Sequence, residues 1–251
     1  MQGLQVHQQR AELINLRRFV DRAIYDAPMA RTEEASILGL WRSARHYAAG
    51  SKIESSQGVQ LITSGWAAWM RYGGDGRRLI FLFLIPGDFI VPGLFGVEGC
   101  DLVSLTAIRT VDAGPLTDEE AGAPQSSAMI ARSGSDYQLL LIDHLTRLTM
   151  GSTTSSVANL LSEFHKRSIR SGASIGGRFS FPIGQRVLAS ALGRSPVQVN
   201  KVMSQFQAAG LIGVGYDWID VLEPQKLALL TGLSPRNPEC SLIAEIVGVL
   251  D

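Results

Sequence analysis

Amide, hydroxyl and ammonium side chains are concentrated in one short stretch of the chain, residues 194–204. The stretch contains Arg194, Ser195, Gln198, Asn200, Lys201 and Ser204, together with Val197 and other apolar residues. Side chains of these types donate hydrogen bonds to phosphate oxygens and to the base edges in a duplex groove. They can do so together only if one rigid element presents them on a common face.

The apolar spacing predicts that element. A buried helix face at i, i+3, i+4, i+7 is formed by Val199, Val202, Met203 and Phe206. The opposite face then presents Val197, Lys201, Ser204 and Ala208, flanked by Gln198, Asn200 and Gln205. This face is short, polar and singly basic, which suits a major groove.

A second helix is predicted just before it, over Gln185–Leu192. Leu188 and Leu192 share one face, and Gly193 offers the backbone freedom of a tight turn. Ser195 followed by Pro196 predicts an N-cap with proline at the first helical position. Two helices joined so closely form a helix-turn-helix. An ordinary helical hairpin is the alternative, but the spacing, cap, turn and polar face agree better with the first interpretation.

Composition bounds the class of protein. The 251 residues include 45% hydrophobic and 18% charged residues, which favours a folded chain, and 23 basic residues balance 23 acidic ones. Between positions 164 and 216, however, seven lysines and arginines occur without a single acid. This local excess coincides with the helix-turn-helix, where phosphates would need neutralisation.

The cysteines and the apolar runs of the sequence predict no metal site, cofactor or membrane segment. Cys100 and Cys240 fit no metal or disulfide pattern, so we expect a reduced, cytoplasmic protein. The polar start does not resemble a secretory signal, and the most apolar run, residues 79–85, is too short for a bilayer.

Glycines punctuate short apolar runs from about residue 44 to 116, which indicates an antiparallel sandwich or barrel. Its clearest part is a hairpin with strands at 66–72 and 78–84 and a Gly-Gly-Asp-Gly turn, followed by a Pro-Gly-Asp turn at 86–88. Two helices are predicted before it, over about 1–24 and over 31–42, the latter with Thr32 as N-cap and Glu33 in its first turn. Trp66, Trp69, Tyr72 and Phe95 could line a pocket, although such residues more often form a core.

Helical character returns over residues 137–170, where a long apolar-faced helix would be a natural dimer seam. Residues 151–156 are weak helix formers, so we expect a break or kink there. Residues 171–180 are predicted as a flexible hinge, residues 210–222 as a two-stranded wing, and Pro224 as the start of a short helix. The tail from 234 carries an apolar patch with no assigned role.

The predicted class is therefore α+β, with three parts. Residues 1–134 would form an antiparallel, jelly-roll-like β-roll with leading helices, residues 135–171 a long dimerisation helix, and residues 172–251 a winged helix-turn-helix domain with a tail.

This order resembles the Crp/Fnr superfamily of bacterial transcription regulators. Two motifs carry the resemblance, the hairpin SGWAAWMRYGGDGRRLIFLFLIPGDF and the segment FPIGQRVLASALGRSPVQVNKVMSQFQAAGLI. The resemblance implies a homodimer, a sensor-like roll for an unidentified effector, a near-palindromic duplex DNA site and contact with RNA polymerase.

The chain departs from the best-known members in its roll. Cyclic-nucleotide sensors of the family use a Gly-Glu pair and an Arg-Ser/Thr pair, whereas this chain has IVPGLFG at 90–96 and Leu102 and Val103 before Ser104. Without the glutamate and the arginine, a buried phosphate would stay unpaired, so we expect no cyclic-AMP binding. No cysteine precedes Cys100, which argues against the iron-sulfur centre of the oxygen-sensing branch.

The reading residues also differ, because family members often have Glu and Arg where this chain has Val197 and Lys201. Valine can only touch a thymine methyl and lysine is a single-point donor, so we predict a different half-site. We expect Val197, Gln198, Asn200, Lys201 and Ser204 to contact bases or backbone, and Gln185, Arg194 and Ser195 to position phosphates.

Two alternative functions are a cupin-like metal enzyme and a ligand-gated module whose winged helix binds protein. The first would need clustered histidines, but the four histidines are scattered and no catalytic motif is present, so we predict no enzymatic activity. The acid-free basic run argues against the second.

Overall fold

The computed structural model describes residues 13–21, 31–74, 76–95, 98–117, 124–149 and 151–232. The roll half contains α1 (13–21), α2 (Arg31–Gly39), β1 (Arg45–Tyr47), β2 (Gln60–Ser64), β3 (Ala67–Tyr72), β4 (Arg78–Leu84), β5 (Phe89–Ile90), β6 (Cys100–Ser104) and β7 (Ile108–Asp112). The second half contains α3 (Pro124–Thr149), α4 (Thr153–Arg170), β8 (Arg178–Ser180), α5 (Gln185–Leu192), α6 (Pro196–Ala208), β9 (Ile212–Val214), β10 (Trp218–Val221) and α7 (Pro224–Leu229). The predicted tail helix lies outside the described residues.

Two antiparallel sheets form the roll, in the orders β1-β7-β2-β5 and β4-β3-β6. Strand β3 lies in the middle of the second sheet, where Ala67 pairs with Leu84 on one side and Ser104 on the other. The predicted hairpin is confirmed, with β4 beginning and ending where the pattern indicated. Gly87 has a φ of 96° in the turn after it, and a Cβ there would meet the Ser171 Cβ at 2.1 Å.

A winged helix-turn-helix follows. Helices α5 and α6 form the helical pair, and β8-β10-β9 form a three-stranded sheet beside them. The predicted wing and the helix from Pro224 are confirmed. The mixed fold predicted from the sequence, an antiparallel roll before a C-terminal winged helix, is therefore confirmed.

The prediction of one long helix over residues 135–171 is wrong, because the structure contains two helices in this region. Helix α3 begins at Pro124, before the predicted start, and the chain is not helical at Gly151 and Ser152. The Ser152 side chain caps α4 by accepting from the Ser155 amide, 3.1 Å away. The expected break near 151–156 is thus confirmed, since serine favours the cap over the helix interior.

The exposed apolar face is shorter than the long apolar-faced helix predicted from the sequence, because α4 packs inside the chain. Val157, Leu160, Leu161 and Phe164 of α4 are buried within the chain's own core. On α3, by contrast, four large apolar side chains are exposed: Leu139, Ile142, Leu145 and Leu148.

Two local predictions are also wrong. Thr32 lies inside α2 and is not its cap, and the buried Glu33 accepts instead from the Ser126 amide in the first turn of α3, 2.6 Å away. Residues 171–180 are not a free hinge, because β8 pairs with β10 and Phe179 is buried.

The roll and the helix-turn-helix share a core centred on Trp66. Its ring lies 4.8 Å from Phe164 of α4, 5.6 Å from Phe181 and 6.2 Å from Phe83 of the roll, between ring centroids. Trp69 is likewise buried, and Phe95 lies 5.4 Å from it, whereas Tyr72 is half exposed. These aromatic residues, Tyr72 excepted, are core rather than an open pocket.

A buried ionic network adds to this contact. Arg167 of α4 binds Glu163, Asp88 in the turn after β4 and the Phe83 carbonyl. Burial alone would lower the pKa of Arg167, but Asp88 and Glu163 raise that pKa above its ordinary value. The arginine is thus held charged between the roll and α4.

Candidate nucleic-acid interface

The turn between α5 and α6 has the geometry that its residues predict. Gly193 adopts the left-handed conformation, φ 60°, and the Arg194 amide donates to the Ala189 carbonyl over 3.0 Å. Ser195 then caps α6 in a reciprocal capping box with Gln198. Such a box satisfies the free amides at the start of the helix and fixes where α6 begins.

Helix α6 separates its two faces as the spacing indicated. Val199 and Phe206 are fully buried, with Val202 and Met203 beside them. The predicted reading residues all lie on the exposed side, namely Val197, Gln198, Asn200, Lys201 and Ser204. Val197 is 78% exposed.

The polar groups at the start of α6 are tied together. Gln198 Oε1 accepts from the Ser195 backbone amide, 3.2 Å, and from the Ser195 hydroxyl, 3.1 Å. Gln185, the first residue of α5, donates through Nε2 to Asn200 Oδ1 over 2.8 Å. The link between Gln185 and Asn200 was not foreseen, because nothing in the spacing of two residues fifteen positions apart indicates it.

Arg194 does not share this cluster. Its guanidinium donates to the Gly151 carbonyl in the break between α3 and α4. Its role as a phosphate contact stays a prediction. In this structure the side chain joins the helix-turn-helix to the break between α3 and α4.

The basic run is partly neutralised by tertiary contacts. Arg167 is buried in its ionic network, and Arg178 stacks 3.9 Å over the Trp218 ring and lies 3.3 Å from Asp220. Exposed positive side chains on the helices include Lys166, Arg186 and Lys201. Arg186 was not singled out beforehand, although its position next to Gln185 at the start of α5 was a usable signal.

The wing completes the exposed surface. Tyr216 stands fully exposed at its tip, between β9 and β10. Gly215 allows the close packing there, because a Cβ at this position would meet the Trp218 ring at 2.1 Å.

The roll offers a different environment at the positions where the cyclic-nucleotide sensors bind phosphate. Ser104 is buried, and its hydroxyl donates to the Ala48 carbonyl over 2.6 Å and accepts from the Ser51 amide over 2.9 Å. Leu102 is buried in the cluster that contains Trp69.

Across the part of the chain that the structure describes, no group of three metal-ligating side chains occurs. No described helix has the length and apolar character needed to cross a bilayer.

Residues 155–230 match the model of the Crp-like helix-turn-helix domain. The chain therefore contains a Crp-like helix-turn-helix domain. It is 25% identical over 182 residues to the transcriptional activatory protein AadR of Rhodopseudomonas palustris, which covers 72% of this chain and 76% of that protein.

Solved structures with a similar fold include two regulators. FixK2 from Bradyrhizobium japonicum superposes with a TM-score of 0.61 at 20% identity, over 76% of this chain and 98% of FixK2. TTHB099, a regulator of the CRP family from Thermus thermophilus, gives a TM-score of 0.54 at 18% identity, over 76% of this chain and 97% of that one.

Proposed function

We propose that this chain is a transcription regulator of the Crp/Fnr family that binds DNA as a homodimer, reads its site with α6 and is not gated by cyclic AMP. The observation that carries the proposal is the exposed face of α6, where apolar, amide and ammonium groups stand beside one another on a capped helix. A recognition helix of this kind places its N-terminal residues against base edges in the major groove.

Each predicted residue has a role in this proposal. Val197, Gln198, Asn200 and Lys201 lie in the first two turns of α6 and face the bases, and Ser204 lies one turn further on. Gln185 and Ser195 lie at the starts of the two helices and position phosphates there, because helix N-termini favour anions. Arg194 reaches phosphate only if it leaves the Gly151 carbonyl.

The homodimer is supported by α3. Leu139, Ile142, Leu145 and Leu148 are 41%, 58%, 59% and 41% exposed. Apolar residues that follow one helix in this way mark an interaction surface, and the same face of a second copy is a self-complementary partner. Two copies would then place two α6 helices on a near-palindromic site.

The absence of cyclic-AMP gating is supported by the interior of the roll. The Ser104 hydroxyl is bound to the loop at residues 48–51, and Leu102 and Trp69 are packed in the core. A nucleotide phosphate placed there would find no charged partner among these residues and would remain buried and unpaired. The effector, if the roll has one, is of another kind.

RNA polymerase is the further partner we propose. The relative AadR is named as a transcriptional activatory protein, and an activator must act on the transcription machinery. The alternative, a module of the same fold that binds only protein, would not use the donors on α6.

Retention of genomic DNA fragments by the full chain, at low and at moderate salt, tests the proposal. Specific retention of a few fragments that persists at moderate salt supports it, because non-specific phosphate binding weakens first. No retained DNA at either salt concentration would favour the protein-binding module. Retention that becomes stronger when cyclic AMP is added would contradict the proposed absence of cyclic-AMP gating.

A further inference from the structure

Both amide side chains at the start of the reading face use their oxygens in hydrogen bonds within the protein. Gln198 Oε1 faces the Ser195 backbone N–H, 3.2 Å away. A backbone N–H can only donate, so the oxygen of Gln198 is held at the cap and its Nε2 amine is left for other partners. Asn200 Oδ1 accepts from Gln185 Nε2, 2.8 Å away, which leaves the Nδ2 amine of Asn200 available in the same way.

Lys201 adds a third donor beside these two amines. Its ammonium group is exposed and has no acceptor lone pair. Val197 offers only methyl groups, and no carboxylate occurs anywhere between residues 164 and 216. The first two turns of α6 therefore present mainly hydrogen-bond donors and one apolar contact to the groove.

The bases differ in what they offer such a face in the major groove. Guanine presents two acceptors, and thymine presents one acceptor and a methyl group. Adenine presents one acceptor beside a donor, whereas cytosine presents a donor alone. A donor of α6 set against the cytosine amine would lose its water without gaining a partner, which is costly.

We infer that α6 selects the keto bases guanine and thymine on the strand that it contacts and rejects cytosine, and that Gln185 sets this preference by holding the Asn200 oxygen. Gln185 is in this respect a positioning residue, since it acts on the base through Asn200. The inference rests on the proposed function, and it names the chemical class of the DNA site.

Selection of binding sites from a random duplex library, with the full chain, tests the first part. The wild-type protein is expected to enrich guanine or thymine at adjacent positions of one strand in each half-site. Replacing any one of these bases by cytosine should weaken binding roughly 10-fold or more. Keto and amino bases that alternate along each strand of the half-site would overturn the inference, because every base pair has one keto base and only their placement on a single strand is diagnostic. A failure to enrich any sequence would instead overturn the proposed function on which it rests.

The variant Gln185→Glu tests the role of Gln185. A carboxylate can only accept, so Asn200 must turn its amine toward residue 185 and its oxygen toward the DNA. We expect the preference at one position to move toward adenine or cytosine, by about 10-fold relative to wild type. An unchanged preference would overturn this role. Gln225→Glu on α7 is the matched control, because it makes the same change of charge at an exposed site away from α6.

The variant Gln198→Glu provides a second measurement that keeps the helix cap. Glutamate retains the acceptor that the Ser195 amide needs, but it replaces the outward amine by an oxygen. We expect cytosine to become accepted at a different position from the one altered by Gln185→Glu. Circular dichroism of both variants should match that of the wild type. A folded Gln198→Glu protein that still excludes cytosine at every position would contradict the role of the donors on α6.

Discussion

The Glu163 carboxylate on α4 lies 2.6 Å from the guanidinium of Arg147 on α3, and the two side chains are only 8% and 5% exposed. The other oxygen of Glu163 lies 2.6 Å from Arg167, which is also bound to Asp88 of the roll. One carboxylate thus connects the two helices that a break separates and, through Arg167, connects them to the roll.

Removing this carboxylate should destabilise the protein strongly. In Glu163→Ala, two buried guanidinium groups lose their shared counter-ion, so we expect the free energy of unfolding to fall by roughly 3–5 kcal/mol. Urea unfolding measures the change. Asp136→Ala is the control, because Asp136 faces Arg170 at 3.5 Å on the surface, where a pair contributes less than about 1 kcal/mol. Equal losses in the two variants would contradict the role of burial.

The turn of the helix-turn-helix depends on Gly193. A Cβ at its φ of 60° is strained, and it would lie 3.2 Å from Leu148 Cδ2. Gly193→Ala should therefore lower the thermal stability, at a cost of about 1–2 kcal/mol. Gly184→Ala is the matched control, since Gly184 has a negative φ and open space around its Cβ. A loss of similar size in Gly184→Ala would show that the left-handed conformation is not the cause.

Stability should also fall at mildly acidic pH because of His144. Burial and the neighbouring Arg147 lower the pKa of His144 to about 4 from 6.5, and burial also lowers the pKa of His165. Each histidine is held neutral when folded, so its contribution is fully present above about pH 6.5 and is lost as the pH falls toward the folded pKa.

Urea unfolding between about pH 7 and about pH 5 measures this dependence, for which His144 supplies at most about 1.4 kcal/mol per pH unit. The variant His144→Gln should flatten the curve, whereas His46→Gln, at an exposed position on β1, should not. The same slope in both variants would exclude His144 as a source.

The exposed apolar face of α3 should determine the oligomeric state. In Ile142→Glu/Leu145→Glu, two charges would be buried without partners if the α3 helices met, so we expect the protein to sediment as a monomer and to bind DNA more weakly. Leu79→Glu is the control, because Leu79 is 53% exposed on β4. A dimer that survives the double substitution would place the interface elsewhere.

Lys201 should contribute to DNA binding through its charge. Lys201→Ala is expected to weaken binding and to lower the slope of log affinity against log salt by about one. Lys226→Ala, an exposed lysine on α7, provides the comparison. An unchanged affinity and slope in Lys201→Ala would refute the contact.

The helix-turn-helix could be predicted from the sequence because its determinants are local. The apolar period of Val199, Val202 and Phe206, the Ser195 cap and the left-handed Gly193 all act within one or two helical turns. The β3–β4 hairpin and the wing were predictable for the same reason, since their glycine turns and strands are neighbours in the chain.

Contacts between distant residues were decided only by the tertiary structure. Arg167 meets Asp88 across 79 positions, and Arg194 meets Gly151 across 43. The sequence shows these residues as members of a basic run, but it cannot show which acid or carbonyl will reach each one. The predicted dimer seam illustrates the same limit. Helices α3 and α4 have similar apolar patterns in the sequence. Only the packing shows that α4 buries its apolar face inside the chain while α3 exposes its own.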